Sequence, residues 1–385
     1  MTALVATTFT VTIADARGTE MKKILLGATA LSMMGVAGGA GAQEWSAATS
    51  GFMTIGVGIV EADAFEADGE IVNNSEVNFN FRLVADNGLT FSVKGELENN
   101  GSDNNMDEYV GRVSGSFGTI EIGAEDGATD RLHGGPAGAT AFTAIGDGTG
   151  LLCDWAADNA GCAIDTDAGE SGDALKITYF TPTFSGFQAG ASWSPTGDEG
   201  GTSTDGFVED GAIYELGANY SGEFGGFSIG LGGGAAFGED ESGLDNSYGG
   251  SLNVGFSGWT VGGSIGFTED NGGDEDAGYA VGANYGTGPW LFGMQFAQGL
   301  DGGQEDQWGI SAGIDYALAP GVTVGATAEY LDAGGASVTF GASDPTFTVD
   351  TADPPNVVVD DPGSAGTTEE IDDAFAFGLF MNLDY

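Results

Sequence analysis

The chain has 385 residues, and its 58 acidic side chains outnumber its 8 lysines and arginines, which gives a formal net charge of −50. This charge excludes nucleic acid as a natural partner, because phosphate backbones bind basic surfaces, and it favours cations. Hydrophobic residues make up 41% of the chain and aromatic residues 10%, which is enough apolar material for a folded protein despite the acidity.

The N-terminal segment has the pattern of a secretory signal. Lys22 and Lys23 precede a short apolar run at residues 24–37, and small residues follow at 40–42, which is the arrangement that signal peptidases cleave. We therefore expect residues 21–42 to be a signal peptide and residues 1–20, before the second methionine Met21, to be a misassigned extension. The apolar run is too short and too rich in glycine for a transmembrane helix, so we expect residues 43–385 to be exported.

The rest of the chain alternates between polar and apolar residues with a period of two. The clearest hairpin joins residues 77–83 to 89–97 through the turn Asp86-Asn-Gly88, since Asn-Gly supplies the positive φ angles of a tight turn. We count about sixteen such segments, separated alternately by short turns and by longer acidic loops such as 61–74 and 332–372. This pattern is typical of outer-membrane barrels, and it predicts an all-β, transmembrane antiparallel β-barrel of about 16 strands.

The polar face of these segments is predicted to line the barrel interior. A barrel of sixteen strands leaves an aqueous channel, so charged side chains on its inner face stay hydrated. Several aromatic residues lie near the ends of segments, where an aromatic girdle would meet the lipid–water interfaces. The charged positions on the polar face are Arg82, Lys94, Glu96, Arg112, Glu121, Lys176, Glu215 and Glu329.

Residues 125–173 form a long interruption of the alternating pattern. Loops of this length are uncommon in compact proteins and are usually functional. The loop contains the two cysteines, Cys153 and Cys162, and the single histidine, His133. Because the loop is exported, we expect the cysteines to form a disulfide, which would stabilise the fold by roughly 2–3 kcal/mol. We expect His133 to be a solvated loop residue.

The sequence gives no indication of an enzyme. Residues 226–230 and 262–266 match the Gly-x-Ser-x-Gly pattern, but both lie within alternating segments rather than at a strand-to-helix turn. The acidic clusters at 103–108 and 270–276 lack EF-hand spacing. Calcium binding at the acidic loops stays open, because these loops offer several carboxylate oxygens, and no other cofactor is expected.

Several stretches resemble the Gram-negative general porins, in particular those of α-proteobacteria. They are the signal from Met21 and residues 118–123, 177–191, 316–324 and 377–385. The last segment alternates and ends on Tyr385, where the family usually ends on phenylalanine. The resemblance implies a multi-pass barrel in the bacterial outer membrane, surrounded by lipid and lipopolysaccharide and assembled as a homotrimer.

The resemblance also implies that the third long loop, residues 125–173, folds into the barrel and narrows it. In such porins the loop carboxylates face a cluster of basic side chains on the wall, and the alternation places three basic residues on the inner side of consecutive strands. The family usually has more arginines there, so cation selectivity is a firmer expectation than a transverse field. The candidates are Glu125, Asp126, Asp130, Asp147 and Asp154 on the loop, and Arg82, Lys94 and Arg112 on the wall.

We therefore expect a passive diffusion channel for small hydrophilic solutes and ions, with a preference for cations. Two alternatives remain open at this point. One is a substrate-selective channel of the same fold, and the other is a secreted, acidic, calcium-binding β-rich surface protein.

Overall fold

The computed structural model describes residues 45–62, 65–99, 106–140, 145, 164, 166, 168, 171–196, 211–239, 242, 244–270, 272–273, 275–301, 307–340, 346–350, 356–361 and 367–385. No helix within these ranges has the length and apolarity needed to cross a bilayer. The elements are β1 (Ser46–Ala62), β2 (Phe65–Val84), β3 (Thr90–Glu98), β4 (Tyr109–Gly115), β5 (Gly118–Ala124), α1 (Ala128–His133), β6 (Leu175–Phe180), β7 (Phe187–Ser194), β8 (Ile213–Phe224), β9 (Phe227–Gly238), β10 (Leu244–Phe256), β11 (Trp259–Asp270), β12 (Glu275–Thr287), β13 (Trp290–Asp301), β14 (Gln307–Ala319), β15 (Val322–Phe340), β16 (Thr346–Asp350), β17 (Asn356–Asp361) and β18 (Thr367–Asp384).

Sixteen of these strands, β1–β15 and β18, form a closed antiparallel barrel. Closure joins the first strand to the last, because β18 pairs with both β1 and β15. The backbone N–H of Tyr385 donates to the carbonyl oxygen of Gly51 at 3.0 Å, and the N–H of Gly51 donates back at 3.1 Å. A closed sheet has no exposed edge, so the predicted barrel of about sixteen strands is confirmed.

The barrel has its apolar residues outside and its polar residues inside. Along β8, for example, Leu216 is 57% exposed whereas Glu215 is 1% exposed. The same alternation runs through the other strands, where Leu231 and Leu252 face outward and Gln295 faces inward. An apolar outer band beside a polar interior is the arrangement that lipid requires, and it confirms the predicted assignment of the two faces.

Aromatic side chains group near both ends of the strands. At the end with short turns, the rings of Trp259 and Tyr285 lie 4.8 Å apart and those of Trp290 and Tyr316 lie 4.6 Å apart. At the other end, Tyr330 contacts both Trp308, at 5.1 Å, and Phe375, at 4.8 Å. These two groups lie where the aromatic girdles of a membrane barrel meet the interfaces.

Two predicted loops contain regular strand pairing. Residues 61–74 belong mostly to β1 and β2, whose register continues from Ile55↔Asn73 to Ala62↔Phe65. In the predicted loop 332–372, β15 continues to Phe340, β16 pairs with β17, and β18 begins at Thr367. The predictions were wrong because they relied on local polarity, whereas cross-strand pairing decides whether a polar segment becomes strand.

Candidate pore constriction

The chain leaves the wall after β5 and then follows the inner face of the barrel. The backbone N–H of Ala128 donates to Ser192 Oγ on β7 at 2.7 Å, and Ser251 Oγ on β10 donates to the carbonyl oxygen of His133 at 2.5 Å. Further along, Gln295 Nε2 on β13 donates to the carbonyl oxygen of Ala137 at 3.3 Å. All three wall side chains are buried on the polar side of their strands, so residues 128–137 contact the wall from within.

The helix α1 is amphipathic over its six residues. Ala128, Thr129, Leu132 and His133 are buried against the wall, and the intervening Asp130 and Arg131 lie on the opposite side. Two of the buried residues, Ala128 and Leu132, join Phe180 of β6 in an apolar cluster. Spacing by three to five positions places these side chains on one helical face, which fixes how α1 packs.

Ion pairs connect three strands of the wall to the start of the loop. Lys94 Nζ on β3 lies 2.7 Å from Glu96 Oε2 and 3.6 Å from Glu125 Oε1, and it also pairs with Glu108. Arg112 on β4 places Nε 3.1 Å from Glu121 Oε1 on β5 and pairs with Glu125 through Nη2. Glu125 therefore pairs with two wall cations at the point where the loop begins.

Arg131 brings α1 into the same network. Its guanidinium pairs with Glu121, with Nη1 2.5 Å from Oε2, and its Cζ lies 4.4 Å from the ring centroid of Phe180. Glu121 thus binds a wall arginine and a helix arginine. The cation–π contact adds a second interaction that holds Arg131 in place.

Two buried side chains of opposite charge hold both ends of the loop. Lys176 Nζ on β6 donates to the carbonyl oxygen of Glu125 at 2.5 Å and to that of Gly172. The carboxylate of Glu215 on β8 accepts from the N–H of Thr129 at 3.2 Å, and from the N–H of Ser171 at 3.1 Å and its Oγ. We call Lys176 and Glu215 the clasp, because each joins residues 125–129 to residues 171–172.

A cluster of three acidic residues lies beside the clasp. Carboxylate oxygens of Glu108, Asp126 and Asp173 all lie within 4.8 Å of one another. Burial, with the charges of Asp130 and Glu108 next, raises the pKa of Asp126 to about 7. Burial, followed by the charges of Asp126 and Glu108, raises the pKa of Asp173 to about 8. Calcium at the acidic loops stays a prediction.

The residues predicted for the constriction do not form a single cluster in the structure. Glu125 meets Lys94 and Arg112 in the ion network. Asp126 belongs to the acidic cluster, and Asp130 lies half-buried on α1. Arg82 is exposed on β2, and it forms no ion pair with any residue that the structure describes. Asp147, Asp154, Cys153 and Cys162 lie outside the described residues.

The prediction of a solvated His133 is wrong. His133 is 2% exposed, because α1 turns its side chain against the wall. Its Nε2 lies so close to Gly249 on β10 that a Cβ added to this glycine would be 2.9 Å away. Sequence reasoning also left Arg131, Lys176 and Glu215 out of the site. The small number of basic residues could have indicated Arg131 and Lys176. Between residues 45 and 385 the chain has only five basic residues, and four of them lie in this region.

Comparisons with known proteins agree with this architecture. The model of the Gram-negative porin family matches residues 27–336. A sequence search of curated proteins gives no match. Among solved structures, the anion-selective porin from Comamonas acidovorans has 16% identity and a TM-score of 0.56, with 89% of this chain and 100% of that chain covered.

Two further structures show the same fold. An engineered variant of the Rhodopseudomonas blastica porin has 15% identity and a TM-score of 0.57, with 88% of this chain and 100% of that chain covered. The outer membrane protein OmpT of Vibrio cholerae, with its loop L8 deleted, has 13% identity and a TM-score of 0.54, with 88% and 99% covered.

The closed barrel, with apolar residues outside and polar residues inside, defines a membrane protein of the β-barrel class. The chain belongs to the Gram-negative porin family. Proteins of this family and fold are diffusion channels rather than enzymes, and the alternative of a secreted surface protein is not favoured.

Proposed function

We propose that the protein is a cation-preferring porin for small hydrophilic solutes and ions, with residues 125–173 as its constriction loop. The mature channel would comprise residues 43–385 and assemble as a homotrimer among outer-membrane lipid and lipopolysaccharide. The contacts of residues 128–137 with the polar wall support the constriction. A loop held on the inner face of a wide barrel occupies part of the lumen that solutes must cross.

The charge balance at the base of this loop carries the proposed cation preference. The four basic groups present, Lys94, Arg112, Arg131 and Lys176, are engaged by carboxylate or carbonyl oxygens. Carboxyl groups outnumber them, five to four even without Asp126 and Asp173, whose pKa values are raised, so the local potential is negative and raises the concentration of cations. The carboxyl groups are those of Glu96, Glu108, Glu121, Glu125, Asp126, Asp130 and Asp173.

The anion-selective porin from Comamonas acidovorans does not decide the selectivity of this chain. At 16% identity the likeness concerns the fold. In a porin the preference for one ion sign follows from the charges along the pore, and this chain has 58 acidic against 8 basic residues.

Conductance of the purified protein in a planar bilayer tests the proposal. We expect stepwise insertion of open channels and, under a potassium chloride gradient, a reversal potential of the sign given by potassium permeation. The physical reason is the excess of carboxylates at the loop base. A protein that inserts without current steps would contradict the channel, whereas a reversal potential of the chloride sign would contradict only the cation preference.

A further inference from the structure

The inner wall carries glycines at the positions where residues of the loop pass. We call seven of them the loop seat, and they lie on the polar side of six strands. Four are directly paired across adjacent strands, in the order Gly190↔Gly217, Gly217↔Gly234 and Gly234↔Gly249. The seat consists of Gly190 on β7, Gly217 on β8, Gly232 and Gly234 on β9, Gly249 on β10, Gly282 on β12 and Gly293 on β13.

The loop occupies the space that side chains at these positions would need. A Cβ on Gly217 would lie 2.1 Å from the carbonyl oxygen of Ala128, and one on Gly232 would lie 1.9 Å from that of His133. On the next part of the wall, a Cβ on Gly282 would lie 2.0 Å from the carbonyl oxygen of Ala137. Carbon and oxygen atoms that are not bonded approach to about 3.3 Å, so any side chain here would displace the loop.

The loop itself also contributes a glycine to this contact. Gly138 has φ of 105°, a conformation that favours glycine. A Cβ on Gly138 would lie 2.2 Å from the carbonyl oxygen of Met294, and one on Gly293 of the wall would lie 2.2 Å from the carbonyl oxygen of Gly138. The backbones of the loop and of β13 are therefore in close contact at Gly138 and Gly293, where neither residue has a side chain.

Polar wall side chains between the seat glycines bind the same loop backbone. Ser251 Oγ donates to the carbonyl oxygen of His133 at 2.5 Å, and Asn253 Nδ2 donates to that of Gly135 at 2.9 Å. Asn284 Nδ2 donates to the carbonyl oxygen of Ala139 at 3.4 Å. These hydrogen bonds hold the loop in its position along the wall. Because the glycines of the seat have no side chains, the loop can lie close to the wall.

We propose that the loop seat sets the open cross-section of the pore by determining how deeply the loop lies against β7–β13. The inference rests on the proposed role of residues 125–173 as the constriction. Glycine within a strand lowers the stability of the sheet. At these positions it also lets the loop lie closer to the wall, so the lumen is wider than it would be with larger residues. At Gly217, Gly232 and Gly282 an added Cβ would push the loop backbone toward the pore axis by roughly 1 Å, the shortfall from normal contact.

The wall offers matched control positions. Gly230 lies on the same strand and the same face as Gly232, and a Cβ added there would meet nothing within 4 Å. Gly286 stands in the same relation to Gly282 on β12. Alanine at the control positions makes the same change to strand propensity without touching the loop.

The experiment compares Gly232→Ala and Gly282→Ala with Gly230→Ala and Gly286→Ala. Single-channel conductance and liposome swelling with sugars of increasing size are measured on the full-length protein. We expect each seat variant to lose conductance and to exclude the largest sugar that the wild type admits. The combined seat variant should lose more than either single variant, while both control variants match the wild type. Heat-modifiable migration on gels checks that every variant keeps its barrel.

Unchanged or increased conductance in folded seat variants would overturn the inference. If the combined variant fails to fold, the two single variants decide the question. The proposed channel function fails separately, because it requires current steps from the wild-type protein, whatever the variants do. A loss of conductance in both control variants equal to that in the seat variants would also overturn the inference, since strand propensity would then explain it.

Discussion

Glu215→Ala is expected to turn a steadily open channel into one with frequent closures and a noisy open current, while the barrel stays folded. The carboxylate of Glu215 is buried and accepts hydrogen bonds from the N–H of Thr129 and from the N–H and hydroxyl of Ser171. Its removal leaves these donors without their acceptor, and each unsatisfied buried group costs about 1–3 kcal/mol. Both ends of the constriction loop lose an attachment to β8 at once.

The effect should be confined to the loop because the barrel strands do not depend on Glu215. The backbone ladders of β8 with β7 and with β9 do not involve the side chain of Glu215, so we expect them to stay intact in the variant. Recordings of single channels at constant voltage measure the closure frequency and the noise, and gel migration with and without heating reports on the barrel. Lys176→Met, which removes the other half of the clasp, is expected to act in the same direction.

Two further variants separate the clasp from the loss of any buried carboxylate. Glu215→Gln keeps one acceptor oxygen, so its closure frequency should lie between those of Glu215→Ala and the wild type. Glu329→Gln changes another buried glutamate, on β15, which accepts from the hydroxyl of Thr327 on the same strand at 3.2 Å. A folded Glu215→Ala channel as quiet as the wild type, or equal noise in Glu329→Gln, would contradict the role of the clasp.

The barrel was predictable because its determinants are local. The alternation in segments such as 89–97 assigns side chains to two faces without any knowledge of distant contacts. The turn Asp86-Asn-Gly88 requires positive φ at its glycine, and Gly88 has φ of 83° with its N–H donating to the carbonyl oxygen of Ala85 at 2.9 Å. Such features depend on a few neighbouring residues, so the sequence alone indicates them.

The path of the loop was not predictable because it depends on residues far apart in the chain. Nothing near Gly232 distinguishes it from Gly230. Yet a Cβ on Gly232 would overlap the carbonyl oxygen of His133, whereas a Cβ on Gly230 would meet nothing within 4 Å. The helix α1 has six residues, which is too short for a helical period to stand out. The burial of His133 therefore follows from the shape of the wall, and the sequence around it resembles that of an ordinary polar loop.

The cation preference is expected to increase as the pH rises from about 6 to about 9. Burial and the neighbouring carboxylates raise the pKa of Asp126 to about 7 and that of Asp173 to about 8, while the charge of Lys176 opposes both shifts. Both groups hold protons at the lower pH and release them across this range. The base of the constriction loop then gains negative charge, which attracts cations.

Reversal potentials in a salt gradient, measured at several pH values, test this dependence. The double variant Asp126→Asn, Asp173→Asn should show a much flatter response, because the amides do not titrate. Asp86→Asn is the control, since Asp86 is exposed in the β2–β3 turn at the opposite end of the barrel. A wild-type reversal potential that does not change with pH, or a full response in the double variant, would contradict the assignment.

The same two groups give a second pH dependence, on stability. An unfolded aspartate has a pKa of about 3.9, so between about pH 4 and pH 8 the native protein binds protons that the unfolded chain has already released. The free energy of unfolding therefore falls as the pH rises through this window. Thermal unfolding in detergent should show a lower midpoint at the alkaline end for the wild type and a smaller decrease for the double variant. If the midpoint of the wild type falls no more with pH than that of the double variant, Asp126 and Asp173 do not hold protons in this window, and the pH-dependent selectivity would then lose its basis.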